Sequence, residues 1–259
     1  MAIRAQKINA NPEGHMTLMD HIAELRTRLV RSCIAVACAA VVTWFLYNHI
    51  LSFLLGPLRD LAPKNSSLKA TLVTLDPLEP FAVRIRIVSY TAIMLAMPVI
   101  LWQLWRFIAP GLYSTEKKYA AWFVACGTAL FSMGAAIAFW TVPKALEFLK
   151  GIGGSNFTQL YSPDKYLRLI IYMMIAFGIG FEFPIILVFM LLVGIVKTAQ
   201  LRQARRYAIV IIAVVVAVAT PSADPISMFA LCIPMWLFYE VAIVFGRVRD
   251  RRQAKLTAG

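Results

Sequence analysis

The sequence predicts an all-α integral membrane protein, and three observations carry that prediction. The chain of 259 residues is 60% hydrophobic and 15% charged, whereas soluble domains are about half apolar and about a quarter charged, and its mean hydropathy is +0.72. The apolar residues gather into runs that approach or exceed the roughly 20 residues, at about 1.5 Å each, that a bilayer-crossing helix requires. The basic residues, which give a net charge of +13, lie in short clusters between those runs. That pattern fits membrane topology and not a nucleic-acid stripe, so no nucleic-acid partner is expected.

The first element is cytoplasmic and amphipathic, over residues 1–29. Its polar start has no signal-peptide core or small-residue cleavage site, so nothing is expected to be removed. Leu18, Ile22, Leu25 and Leu29 stand at helical spacing with His21, Glu24, Arg26 and Arg28 between them, which predicts a surface helix over 16–31. Glu24 and Arg28 are an i, i+4 pair. A solvated local ion pair and a ligand-facing carboxylate are both open readings.

A bundle of six transmembrane helices follows, over 30–54, 84–105, 120–142, 167–193, 207–219 and 226–245. An even number puts both termini on one side of the membrane. That side carries 17 Lys and Arg against 9 on the other, so both termini are expected in the cytoplasm (N-in/C-in). The fifth helix is short: about 13 residues make about 20 Å, against a hydrocarbon core of about 30 Å. The turn TPSADP (220–225) is then drawn below the outer surface, with Asp224 in a locally thinned bilayer or a wet cavity.

Pro184 and Pro234 remove helix donors and permit kinks, which favours a curved bundle with a recess. The outer connections, 55–80 and 143–166, are expected to cap the bundle with short helices. Residues 246–259 form a basic cytoplasmic tail, and the chain reads as one domain. No internal repeat is visible, which argues against many carrier folds. Cys33, Cys38, Cys126 and Cys232 sit in or beside apolar runs without metal-ligand spacing, so neither a metal site nor a disulfide framework is indicated.

Two acidic residues stand out. Glu182, in GIGFEFPIIL (178–187), is the single charge between Arg168 and Lys197, and a carboxylate at that depth is costly. It is either protonated or charged beside water or a polar partner. Pro184 leaves the Gly180 carbonyl without its helical donor, so a protonated Glu182 could bond it; docking of a partner helix's polar group is the other reading. Glu116 lies in WQLWRFIAPGLYSTEKKY (102–119), where Pro110 and Gly111 break the helix and Ser114 or Thr115 can cap the next. Trp102 and Trp105 fit an interfacial belt. As one of few acids on a basic face, Glu116 is a natural partner for an arginine ligand.

HIAELRTRL (21–29), LAMPVILWQLWRFIAPGLYSTEKK (95–118), FGIGFEFP (177–184), ATPSADPIS (219–227) and IPMWLFYE (233–240) together resemble TatC, the polytopic subunit of the twin-arginine protein translocase. The resemblance covers nearly the whole chain in order. It implies a glove-shaped bundle with a membrane-facing concavity, in a prokaryotic cytoplasmic membrane. It also implies a receptor for twin-arginine signal peptides that works with the single-span partners TatA and TatB, in a multimeric complex, to export folded proteins by the proton-motive force. No enzyme activity and no cofactor are implied.

The arginine pair is then expected at His21, Glu24, Leu25, Arg26, Phe107, Pro110, Gly111, Leu112, Tyr113 and Glu116. Glu182, in the concavity, with Thr220, Asp224 and Ser227 forms a polar set for partner docking. Met228 stands where many members carry Gln, Ser132 where a Tyr is common, and the 220–225 turn holds an extra residue. Glu240 matches the family and reads as a neutral hydrogen-bonded anchor. The competing readings are a proton-coupled small-solute carrier using Glu182, and a scaffold in which Glu182 and Glu116 only hold the fold.

Overall fold

The computed structural model describes residues 18–60, 76–108, 120–153, 162–220 and 224–257. Among the residues expected to act, Pro110, Gly111, Leu112, Tyr113 and Glu116 lie outside those described, as do residues 61–75 and 154–161 of the outer connections. Eight helices make up the described chain: α1 (Leu18–Leu54), α2 (Gly56–Asp60), α3 (Glu79–Ile108), α4 (Ala120–Gly153), α5 (Pro163–Val193), α6 (Thr198–Gln203), α7 (Arg205–Ala219) and α8 (Pro225–Thr257). Five of them, α1, α3, α4, α5 and α8, are long and apolar enough to cross a membrane. The sixth expected span is α7, whose 15 residues make about 22 Å of helix.

Three boundaries differ from expectation. The surface helix over 16–31 and the first span are one helix, because no Gly or Pro interrupts Leu18–Leu54. The connection expected from Pro143 begins later: Pro143 lies inside α4, which runs to Gly153, and Ala145 and Leu146 beyond it are buried. The basic tail is likewise not a separate element but the end of α8.

Packing centres on α4 and α5. α3 and α8 lie against both of them, while α1 packs chiefly on α3 and α7 chiefly on α8. The core runs along this centre, with Ile87 of α3, Val142 of α4, Phe177 and Phe181 of α5, and Leu231 and Ile243 of α8 all buried. Without a hydrophobic drive between helices in lipid, close approach of small residues has to supply the attraction. Gly134 of α4 does this: a Cβ added there would stand 2.5 Å from the Phe177 carbonyl oxygen.

Polar contacts close both ends. Away from the termini, Ser162 donates to Glu79 at 2.5 Å, Asp164 pairs with Arg86 and Arg168, and Tyr166 donates to the Leu54 carbonyl at 2.9 Å. At the end that carries the termini, α5 stops at Gly194, which takes the left-handed conformation (φ 80°). There Arg249 of α8 donates to the carbonyls of Leu191 and Leu192, satisfying acceptors that a helix C-terminus leaves open.

Candidate functional site

The first site lies where the start of α1 meets the end of α3. His21, Glu24 and Arg28 share a face of α1 at i, i+3 and i+7, and Gln103 and Phe107 share one of α3 at i, i+4. The packing of α1 on α3 brings these faces together. The His21 imidazole stacks on the Phe107 ring with centroids 4.3 Å apart and planes 21° off parallel. Arg28 grips Glu24 Oε1 with Nη2 at 2.5 Å and Nε at 3.2 Å, and its Nη1 donates to Gln103 Oε1 at 3.3 Å.

Half of Glu24 is therefore engaged and half is not. Its Oε2 is buried and has no hydrogen-bond partner among the described residues. Leu25, 48% exposed, is available beside it. Arg26 is not part of this face: it lines a shallow surface with Met19, Ile22 and Val30 on the other side of α1. The sequence reading missed Gln103. The signal was its i, i+4 relation to Phe107, but nothing in the sequence says which face of α3 turns toward α1.

The second site is Glu182, which is buried within α5. Its carboxylate lies against Gly127 of α4 and Leu101 of α3: a Cβ on Gly127 would meet Oε2 at 3.0 Å, Leu101 Cδ1 at 3.1 Å and Oε1 at 3.4 Å. Oε1 has no hydrogen-bond partner among the described residues. The missing side chain of Gly127 makes the space for the carboxylate. Around it are the buried Leu101, Trp105, Ile185 and Phe189, with Trp105 stacked on Phe123 at 4.4 Å.

The other polar residues of this set turn inward. Thr220 is 4% exposed and donates to the Val216 carbonyl at 2.9 Å. Asp224, 1% exposed, accepts from the Ser227 backbone N–H at 2.7 Å, which caps the start of α8. Ser227 is fully buried and its hydroxyl faces Met173 Sδ at 4.0 Å. Glu240 is not a neutral anchor but ion-paired, with Arg205 Nη2 at 2.7 Å from its Oε2.

These features define a class: a polytopic helical membrane protein with a carboxylate enclosed among its central helices and a polar face at the end that bears the termini. The family model described as Sec-independent protein translocase protein (TatC) matches residues 20–234. The chain is 36% identical to the Sec-independent protein translocase protein TatC of Frankia casuarinae over 94% of its own length and 69% of that protein's. It is 36% identical to the TatC of Magnetococcus marinus, covering 97% of this chain and 91% of that one. A solved structure described as the twin arginine translocase receptor TatC in DDM superposes with a TM-score of 0.74 at 35% identity, over 87% of this chain and 99% of that one.

The chain belongs to the TatC family. It is a Sec-independent protein translocase component of the twin-arginine pathway and a multi-pass protein of a bacterial membrane. The small-solute carrier reading of Glu182 is not favoured by this membership.

Proposed function

We propose that the chain is the signal-peptide receptor of a translocase that exports folded proteins across the cytoplasmic membrane with the proton-motive force. One observation carries this reading: the α1–α3 contact assembles His21, Glu24 and Phe107 into one face and leaves Glu24 Oε2 without a hydrogen-bond partner among the described residues. Arg28 holds one oxygen of Glu24 and fixes its orientation, so the other can accept a guanidinium N–H from the peptide, a charge-assisted bond that arginine makes better than lysine. Phe107 offers apolar surface to side chains following the arginines. Glu116, which lies outside the described residues with Pro110, Gly111, Leu112 and Tyr113, is the second carboxylate in this reading, one for each arginine of the pair.

In this reading the protein is one domain of six spans with both termini cytoplasmic, as the 17 to 9 distribution of Lys and Arg favours. The short α7 leaves its end of the bundle thinned. The single-span subunits TatA and TatB are its partners, several copies assemble, and Glu182 meets a partner's polar group after the peptide has bound. Thr220, Asp224 and Ser227 support that docking by holding the α7–α8 turn. The chain itself carries out no catalysis.

The test is binding of a labelled signal peptide to the detergent-solubilised protein, with an Arg-Arg and a Lys-Lys peptide, for the wild type, Glu24→Gln and Glu116→Ala. The wild type is expected to prefer the arginine peptide, and each folded variant to lose much of that preference. A wild type without arginine preference, alone and with its partner subunits, overturns the receptor reading.

A further inference from the structure

A groove of about 750 Å³ runs between α4, α5 and α8; it shares Phe123 and Ile185 with the packing around Glu182 and has no residue of the α1–α3 face in its walls. Cys126 and Leu130 of α4, Val188 of α5, and Val241, Phe245 and Val248 of α8 form its walls, which are almost wholly apolar. On α8 these positions continue a single stripe from Phe238 that ends in Arg249 and Arg252, also on the groove. Phe238 and Arg252 lie 14 positions apart, about 21 Å along the helix.

The two arginines differ. Arg249 is occupied on the carbonyls of Leu191 and Leu192. Arg252 is exposed and has no hydrogen-bond or ion-pair partner among the described residues. Trp122, 71% exposed, stands at the same end of the groove on α4, at a level where indole rings sit at the membrane interface.

From this arrangement we infer that the groove is a binding site for an anionic phospholipid, with one acyl chain between α4 and α8 and the phosphate on Arg252. A planar guanidinium matches a phosphate diester with two parallel N–H donors. The surrounding end of α8 carries Arg247, Arg249, Arg251, Arg252 and Lys255 against Asp250 alone, which favours an anionic headgroup over a zwitterionic one. A chain-like occupant also fits the size: 20 Å of a helix 10–12 Å across displaces on the order of 2,000 Å³, well above the volume of this groove. The lipid would brace α8 against α4 and α5 beside the cap that Arg249 makes.

Native mass spectrometry of the full chain in detergent, titrated with phosphatidylglycerol or phosphatidylcholine of identical acyl chains, tests this. The wild type is expected to retain the anionic lipid in preference, and Arg252→Gln to lower that preference about fivefold. Arg251→Gln, which removes the same charge outside the groove, should leave it unchanged. Val241→Trp, or Val248→Trp if the first fails to fold, fills the groove and should lower retention of both lipids. Equal retention of the two lipids, equal effects of the two arginine variants, or retention unaffected by filling the groove overturns the assignment. So does a groove that holds no lipid but cross-links through Cys126 to a single-span partner helix.

Discussion

The junction of α1 with α3 and the centre of α3, α4 and α5 each hold a carboxylate with a buried oxygen that has no hydrogen-bond partner among the described residues, and the two are supported in opposite ways. Glu24 sits near the start of α1, between exposed neighbours, and a neighbouring arginine already holds half of it. Glu182 sits among large buried side chains, with a glycine opposite and no ion pair among the described residues. The difference teaches that an open oxygen has two uses. In the proposed reading the edge oxygen accepts an incoming guanidinium, whereas the central one is enclosed by packing and is unfavourable until a donor reaches it.

The strongest way to break this comparison is at the packing that encloses Glu182. Gly134→Val puts a branched side chain 2.5 Å from the Phe177 carbonyl, which overpacks a backbone contact and should cost about 3 kcal/mol or prevent assembly of the bundle. Thermal unfolding in detergent measures it. Ala23→Val, on exposed α1, should stay within about 0.5 kcal/mol in the same assay.

Replacing the carboxylate sharpens the contrast. Glu182→Gln keeps the shape and removes a buried charge that lacks a partner, so thermal stability should hold or rise by about 1 kcal/mol. A loss of stability would mean that Glu182 has a structural partner. Arg249→Ala uncovers the last carbonyls of α5 and should cost about 1–2 kcal/mol, read as faster amide exchange in the turn around Gly194. Smallest is Arg28→Ala: the Arg28–Glu24 pair lies at the bundle end, so stability should fall by about 0.5–1 kcal/mol. Peptide affinity should fall more, because Glu24 loses its orientation.

The spans were legible because bilayer thickness forces long apolar runs, and so was the shortness of α7. The Arg205–Glu240 pair was legible too, in principle. Arg205 lies 15 positions before Thr220 and Glu240 lies 15 positions after Pro225, so an antiparallel hairpin about that turn sets them opposite each other. By contrast, the bonds from Arg28 to Gln103 and from Arg86 to Asp164 depend on how helices that are not chain neighbours rotate against one another. Period alone does not fix that rotation. Gly127 belongs to the same group: its spacing of seven from Gly134 hints at a packing seam, but only the fold places it opposite Glu182.

The most direct test separates the two carboxylates by function. Signal-peptide affinity and transport of a folded precursor are measured in parallel for the wild type, Glu24→Gln and Glu182→Gln. The account predicts that Glu24→Gln binds the arginine peptide more weakly, while Glu182→Gln binds it as the wild type does and still transports poorly. Weak peptide binding by a folded Glu182→Gln, or unchanged binding by Glu24→Gln together with Glu116→Ala, would contradict it.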